Sequence, residues 1–303
     1  MPESPYSDLS RPPLSQAALR RALVKPGALW TDVRVVSHTT STNADLAEAA
    51  RHGALEGTVL VAEHQTAGRG RLDRTWESPP RAGLTFSMLL RPSPVPPQRY
   101  GWLPLLAGVS LVDVVRRLGE IDAGLKWPND LLVAPSAGTA PSSATPSGAA
   151  AFGRAHAEGP ARPGKCAGIL AEAVPNGPDP AVVLGIGLNV STTADELPTT
   201  EATSLALAGS ACVDRDPLLR AFLREFGADY TDWRTAGGDP EKSGLRADYL
   251  TRCDTLGRTV RVSLPGGADL TGEAVDVDGE GRLVIDHDGV RTPVAAGDVV
   301  HLR

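Results

Sequence analysis

The chain has 303 residues, of which 41% are hydrophobic, and its formal net charge at pH 7 is -6. This length can bury a core and accommodate more than one domain, and the acidic balance argues against a broad nucleic-acid-binding surface. No apolar run reaches the length of a membrane span, and the polar, proline-rich start (1–13) lacks the pattern of a secretory signal. Three scattered cysteines indicate neither a disulfide framework nor a zinc site, so we expect a cytoplasmic protein.

Residues 1–30 are predicted to form an N-terminal extension that is partly disordered and contains one short helix over 15–24. The extension is too short and too rich in proline for a winged helix-turn-helix, so we expect no DNA binding.

Three short polar residues, Ser41, Thr42 and Asn43, lie between a predicted strand (32–36) and a predicted helix (44–51). Such side chains accept hydrogen bonds from the free N–H groups at a helix start. At least one of them is therefore predicted to cap this helix.

The next strand, over 58–62, leads into a stretch in which glycine alternates with arginine, 63–76. Gly68 and Gly70 permit backbone conformations and close approaches that other residues resist. Three arginines carry forks of N–H donors that suit phosphate or carboxylate oxygens, namely Arg69, Arg71 and Arg74. Such a loop can close over an anionic, partly aromatic ligand with Trp76 as its flat apolar surface. The alternative is a solvated surface loop.

Further strands and helices follow in a pattern typical of a mixed α and β domain. Strands are predicted over 83–91, 125–127, 131–133, 166–174 and 181–190, and helices over 100–118, from 202, over 215–234 and over 241–251. The stretch 134–163 is rich in Ala, Ser, Gly, Pro and Thr, and is predicted to be a disordered insertion within a hairpin. From 256 onward, alternating runs between Gly/Asp turns predict a small all-β barrel.

Three segments carry a resemblance to a known family: the Glu63–Trp76 loop, Lys126-Trp127-Pro128-Asn129-Asp130, and Lys165-Cys166-Ala167-Gly168-Ile169-Leu170. In this order they resemble the biotin–protein ligases. The resemblance is highly specific over about 33–190 and continues more weakly to the C-terminus. The resemblance implies an α+β catalytic domain over 31–254, with a mixed, largely antiparallel sheet backed by helices as in class II synthetases and lipoate ligases. It implies an SH3-like C-terminal β-barrel over 255–303. The insertion departs from the family pattern but leaves the flanking motifs intact.

The resemblance also implies a reaction. Biotin's carboxylate would attack the α-phosphorus of ATP to give biotinyl-5'-adenylate, and a lysine of a biotin carboxyl carrier protein would then take the biotinyl group. Bringing two anions together requires fixed positive charge, and Mg²⁺ would offset the charge of the pyrophosphate. The implied partners are biotin, ATP and the apo carrier domain of a carboxylase. We expect a monofunctional enzyme that is a monomer or a weak homodimer.

The resemblance assigns roles to residues of this sequence as hypotheses. The catalytic residues are Lys165, Arg71 and Asp130. The biotin-binding residues are Ser41, Thr42, Asn43, Gln65, Gly68, Arg69, Gly70, Arg71, Lys165 and Gly168. The ATP- or adenylate-binding residues are Arg71, Arg74, Trp76, Lys126, Asn129, Lys165 and Asn189.

Several roles stay open. Asp130 either orients a metal ion, or orients and deprotonates the acceptor lysine. Trp76 covers the adenine or packs in the core. Asn129 contacts the nucleotide or serves as a turn residue after proline.

Three other functions compete with biotin ligation. A lipoate–protein ligase or octanoyl transferase shares the catalytic fold, but the set of motifs argues for biotin. A biotin-sensing repressor would need an N-terminal DNA-binding module. A nucleotide-binding module without catalysis would not need Lys165 beside the complete loop.

Overall fold

The computed structural model describes residues 10–72, 74–135, 163–175, 180–264, 269–295 and 297–302. Most of the predicted disordered insertion (134–163) and the first nine residues of the N-terminal extension lie outside these residues. Within the described part of the chain, no helix is long and apolar enough to cross a membrane.

Besides two short 3-10 helices, the first 252 residues contain five α-helices and nine strands in the described ranges. In chain order these are α1 (Gln16–Leu23), β1 (Asp32–Val36), α2 (Thr42–Arg51), β2 (Thr58–Ala62), β3 (Gly68–Arg69), β4 (Thr75–Trp76), β5 (Gly83–Leu90), α3 (Trp102–Gly119), β6 (Ala123–Lys126), β7 (Asp130–Val133), β8 (Gly164–Val174), β9 (Ala181–Asn189), α4 (Arg215–Thr235) and α5 (Leu245–Arg252). Most predicted elements are confirmed to within a few residues.

Seven of these strands form one sheet in the order β1-β2-β5-β9-β8-β7-β6. The β1–β2 pair is parallel and the other neighbours are antiparallel. Helices α3 and α4 pack on one face, and α2 is the helix of the described residues that packs on the other. The predicted mixed, largely antiparallel sheet backed by helices is therefore confirmed.

The central strand β9 shows why the two faces differ. Its apolar side chains Leu184, Ile186 and Leu188 belong to the main core beneath α3 and α4. The alternate positions Gly185 and Gly187 point to the opposite face, because successive residues of a strand alternate between faces. This leaves open space on the α2 side of the sheet, where the candidate site lies.

The helix predicted to begin at 202 is wrong: the structure has turns there. The backbone of Thr203 donates a hydrogen bond to the carbonyl of Lys165, and Lys165 N–H donates to Glu201. Ser204 Oγ donates to the carbonyl of Thr192. Pairing with the start of β8 engages the backbone groups that a helix would need.

The predicted N-terminal helix is confirmed as α1, capped by the side chain of Ser15. The residues before it are fixed to the sheet by charged side chains. Leu14 N–H donates to Glu63 Oε1 at 2.6 Å, and Arg215 donates to the Pro12 carbonyl at 2.6 Å.

After α5, the chain forms a small antiparallel sheet in the order β13-β12-β11-β10-β14. Its strands are β10 (Thr259–Ser263), β11 (Asp269–Val277), β12 (Leu283–His287), β13 (Val290–Val294) and β14 (Asp298–His301). Two buried tryptophans join it to the rest of the protein: Trp102 at the start of α3 donates to the carbonyl of Gly279, and Trp127 in the turn after β6 donates to the carbonyl of Gly281.

His301 lies in the same junction. Its Nε2 is 3.1 Å from Thr255 Oγ1, and Thr255 in turn accepts from the backbone N–H of Trp127. Burial, with Lys126 and Arg258 nearby, lowers the pKa of His301 from 6.5 to about 4. The folded protein therefore holds this ring neutral where the unfolded chain would protonate it.

We expect this histidine to make folding less favourable in mild acid. Above pH 6.5 the ring is neutral in both states; between 6.5 and about 4 only the unfolded state binds the proton, so stability falls as pH falls. The loss of folding free energy is on the order of 2 kcal/mol. It is smaller than the full pKa shift implies, because the ring is partly exposed and solvent screens part of the penalty. Urea unfolding at pH 7 and pH 4.5 should show a larger drop for the wild type than for His301→Gln. His287→Gln, an exposed position, serves as the control, and equal drops in all three proteins would contradict the prediction.

Candidate functional site

A pocket opens on the α2 face of the sheet. Strands β8 and β9 form its floor, and the β3–β4 loop, the turn between β6 and β7, and Gly297 and Val299 of the small sheet form its walls. Its lining comprises Ser41, Thr42, Asn43, Gln65, Arg69, Gly70, Arg71, Leu72, Arg74, Thr75, Trp76, Thr85, Lys126, Trp127, Pro128, Asn129, Asp130, Lys165, Gly168, Ile169, Leu170, Gly185, Ile186, Gly187, Gly297 and Val299. Nearly all of the residues singled out from the sequence therefore meet at one place.

The start of α2 forms one end of the pocket. Ser41 is the N-cap, and its Oγ accepts from Ala44 N–H. Gln65 Oε1 accepts from the backbone N–H of Thr42 at 2.9 Å. Both functions predicted for this polar segment, capping and lining a pocket, are compatible with the same geometry.

The β3–β4 loop is a tight hairpin. Gly70 N–H donates to the carbonyl of Arg74 at 2.6 Å. A Cβ at Gly68 would lie 2.1 Å from Gln65 Nε2 and 2.2 Å from the carbonyl oxygen of Trp76. Its lack of a side chain lets the loop fold back beside Gln65, and Gly68 itself is not among the residues that line the pocket.

Trp76 lies flat against the glycine floor. A Cβ at Gly187 would come within 2.3 Å of its indole ring, and one at Gly168 within 3.3 Å. Lys165 Nζ lies 5.9 Å from the ring centroid, within the range of a cation–π contact. Trp76 Nε1 is buried without a hydrogen-bond partner among the described residues. This ring is thus partly buried and also a wall of the pocket.

The turn between β6 and β7 contacts the β3–β4 loop. Arg71 donates to Asn129 Oδ1 and to the carbonyl of Gly297, each at 3.4 Å. Asn129 Nδ2 donates to the carbonyl of Ile169 at 2.9 Å. Asn129 therefore connects the turn to the floor and holds an arginine, so its amide is already engaged on both sides.

Lys165 and Asp130 form an ion pair across neighbouring strands, with 2.7 Å between Nζ and Oδ1. The lysine side chain remains 34% exposed, so it can turn toward a ligand. The adjacent Cys166 is buried and donates from Sγ to the Asn189 carbonyl. Burial raises the pKa of its thiol, which removes this cysteine as a nucleophile.

The charge of the pocket is opposite to that of the protein. Five cations line it, Arg69, Arg71, Arg74, Lys126 and Lys165, against the single carboxylate of Asp130 among the lining residues that the structure describes. Cationic groups gathered in a concave, partly apolar site attract and hold an anion. The pocket therefore suits a ligand that is anionic at one end and polar but uncharged at the other.

Asn189 is not brought into the pocket. Its side chain is buried and donates from Nδ2 to the Thr203 carbonyl at 3.0 Å. The hypothesis that it contacts the nucleotide gains no support from this position, because the amide supports the turn after β9.

Two polar residues near the pocket were missed from the sequence. Ser87 on β5 is fully buried beneath Thr42 and Asn43, and Glu172 on β8 contacts Asn43 and Arg69. Glu172 had one detectable signal: it is a charged residue in phase with Gly168 and Leu170, on the site face of a strand that is apolar from Cys166 to Ala171.

The side chains that line the pocket could bind a metal ion only if a phosphate supplied further ligands. No group of three or more His, Cys, Asp or Glu side chains that could hold a metal occurs in the described ranges. Mg²⁺ commonly binds through one or two carboxylates together with substrate phosphates. Asp130 is the lining carboxylate that would take this part.

Comparison with known proteins gives consistent matches along the chain. Residues 35–189 match the biotin/lipoate A/B protein ligase family, and residues 255–302 match the biotin protein ligase C-terminal domain.

Individual relatives agree with these matches. The biotin–[acetyl-CoA-carboxylase] ligase of Mycobacterium tuberculosis is 43% identical over 98% of both chains. The bifunctional ligase/repressor BirA of Bacillus subtilis is 31% identical over 83% of this chain and 69% of its own. The solved structure of the Aquifex aeolicus biotin protein ligase in complex with biotin and ATP is 25% identical, with a TM-score of 0.65, over 90% of this chain and 100% of that one.

Proposed function

Because the chain belongs to the biotin/lipoate A/B protein ligase family, we propose that it is a biotin–protein ligase. It activates biotin with ATP as biotinyl-5'-adenylate and transfers the biotinyl group to a lysine of a biotin carboxyl carrier protein. Membership of the family predicted from the three motifs is confirmed. The match at 255–302 is specific to biotin protein ligases, which favours biotin over lipoate.

The observation that carries this proposal is the polarity of the pocket. Thr42 and Gln65 line the end formed by α2 and are bonded to each other there; their neutral donors and acceptors suit a cyclic urea with both N–H and C=O groups. Arginines and lysines crowd the remainder, where a carboxylate and a triphosphate would lie together. Trp76 on the glycine floor supplies an apolar surface.

In the first step, a carboxylate oxygen of biotin attacks the α-phosphorus of ATP. The new P–O bond forms as the bond to the bridging oxygen of the β-phosphate breaks, and pyrophosphate leaves with that electron pair. Arg71 and Lys165 are the cations that we place against the carboxylate and the α-phosphate. Fixed donors are worth most where charge develops in a site shielded from water.

In the second step, the amine of the carrier lysine attacks the acyl carbon of the mixed anhydride. The bond from that carbon to the phosphate oxygen breaks, AMP leaves, and the nitrogen loses a proton. We assign Asp130 one of two roles: it would orient the amine and accept the proton, or it would help to hold Mg²⁺. When bound with ATP, Mg²⁺ neutralises part of the phosphate charge.

The direct test is biotin-dependent exchange of labelled pyrophosphate into ATP by the purified protein, compared with lipoate, octanoate and no added acid. We expect exchange with biotin alone. Exchange with lipoate instead would assign the protein to the lipoate ligases and overturn the assignment of the α2 end of the pocket to the biotin head. No exchange with any acid, even after an apo carrier domain is added, would contradict the proposed ligase activity.

A further inference from the structure

Glu172 stands outside the residues that line the pocket, yet it contacts two of them. Its Oε2 accepts from Asn43 Nδ2 at 2.6 Å. Its Oε1 lies 3.0 Å from Arg69 Nη2. Its side chain is 30% exposed. One carboxylate thus contacts both a buried side chain of α2 and an arginine of the β3–β4 loop.

The amide of Asn43 is engaged at every group it offers. Nδ2 donates to Glu172 at 2.6 Å and reaches the Leu170 carbonyl at 3.4 Å. Oδ1 accepts from the hydroxyl of Ser87 at 2.6 Å. The Asn43 side chain is 6% exposed, and a Cβ at Gly185 would lie 2.0 Å from its Oδ1. Asn43 is therefore fixed within the protein and has no free donor for a ligand.

These contacts close a ring. Ser87 Oγ is also 2.7 Å from Thr42 Oγ1, and Thr42 contacts Gln65 Oε1 through its N–H and its hydroxyl. Gln65 and Arg69 belong to the two ends of the same loop segment. The ring therefore runs through Arg69, Glu172, Asn43, Ser87, Thr42 and Gln65.

We propose that Glu172 is a positioning residue for the biotin head: it orients Asn43 and holds Arg69, and so fixes Thr42 and Gln65 before the ligand arrives. Pre-arranged polar groups bind more tightly because little ordering is left to be done on binding. Lys165 and Arg71, at the phosphate end, are not members of this ring. Loss of Glu172 should therefore weaken biotin binding and spare the phosphate chemistry.

The first test separates the two substrates in the pyrophosphate exchange assay. Glu172→Ala is expected to raise the KM for biotin by roughly 10- to 100-fold, since hydrogen bonds to a charged group are lost. The KM for ATP and kcat should stay within about twofold. Glu172→Gln keeps an acceptor for Asn43 but loses the charge that Arg69 pairs with, so an intermediate KM is expected. A biotin KM that is unchanged in Glu172→Ala, or an equal rise in the KM for ATP, would overturn the proposal.

The chain offers a matched control. Glu225 pairs with Arg117 at 2.9 Å, with side-chain exposures of 32% and 51%, against 30% and 55% for Glu172 and Arg69. Glu225 lies on α4, on the other face of the sheet, so Glu225→Gln should leave both KM values unchanged. Thermal unfolding is measured first for every variant; should Glu172→Ala fail to fold, Glu172→Gln carries the same comparison.

A double-mutant cycle tests the route through Asn43. If Glu172 acts through that amide, the variant carrying both Asn43→Ala and Glu172→Ala should have a biotin KM close to that of the weaker-binding single variant. If the rise in biotin KM of the double variant equals the product of the two single rises, the residues act independently and the positioning role is overturned.

This inference rests on the proposed function, but the two fail differently. A wild-type protein with no biotin-dependent exchange and no biotin binding in calorimetry contradicts the function. The ring is tested without any ligand by amide hydrogen exchange at 68–72, which should be faster in Glu172→Ala than in Glu225→Gln. Equal exchange in the two variants counts against the ring alone.

Discussion

Lys165→Ala is expected to lower the rate of biotin-dependent pyrophosphate exchange by roughly 100- to 1000-fold, the usual cost of removing one group that stabilises developing charge in a shielded site. Lys165 is held at 2.7 Å from Asp130 beside the glycine floor, and its side chain remains partly exposed to the pocket. The rate is measured at saturating biotin and ATP, so that a change in binding does not conceal a change in chemistry.

A second measurement shows which step Lys165 serves. When preformed biotinyl-adenylate is supplied, Lys165→Ala should transfer biotin to an apo carrier domain far closer to the wild-type rate than it performs exchange. Equal losses in both assays would assign Lys165 to both steps. Lys242→Ala, an exposed lysine on the turn before α5, is the control and should leave both rates unchanged; normal exchange in Lys165→Ala would refute its catalytic role.

The second large effect concerns stability. Arg215 is 5% exposed, lies 2.6 Å from Glu63 Oε2, and donates to the Pro12 carbonyl at 2.6 Å. Arg215→Ala leaves the buried carboxylate of Glu63 without its charge partner and frees the segment before α1. Breaking a buried pair in this way costs about 3–5 kcal/mol. Denaturant unfolding should show a correspondingly lower midpoint.

A control from the same helix sharpens this test. Arg220 pairs with Asp216 one turn away at 2.6 Å, with side chains that are about 30% exposed. Arg220→Ala should cost less than about 1 kcal/mol, as partly exposed pairs do. Replacing both charges, Glu63→Leu with Arg215→Met, should recover part of the loss because no unpaired charge remains. Equal costs for Arg215→Ala and Arg220→Ala would contradict the reasoning.

The larger elements of the fold could be predicted because their patterns are local. The strand over 181–190 was visible as a continuous apolar run, since its Leu and Val side chains are buried on both faces. The turns at 202–209 could not be predicted in this way. Their residues suit a helix start, but pairing between Thr203 and Lys165, 38 positions away in sequence, takes up the backbone groups.

The site residues also differ in whether local sequence is enough to predict them. Arg71, Asn129 and Lys165 were recognised because each lies in a short segment whose order along the chain is distinctive, and the structure brings the three segments together around one pocket. Asn189 belongs to the same apolar strand as the floor glycines, but its side chain donates to the Thr203 carbonyl and is not among the residues that line the pocket. The hydrogen-bond partner of a side chain at the end of a strand depends on the fold of the segment that packs beside it. Here that segment is the turns at 202–209, which the sequence predicts as a helix.

What the sequence by itself determined was the family, the largely antiparallel α+β architecture and the identity of the cationic groups, because hydrophobic periodicity and short motifs are properties of neighbouring residues. What only the tertiary structure decided was which polar groups are free to meet a ligand. Asn43 has the right chemistry for the biotin head, yet its amide on α2 is engaged by Ser87 on β5 and Glu172 on β8. Hydrogen-bond saturation depends on neighbours across the sheet, and cross-strand neighbours are set by register and packing rather than by local sequence.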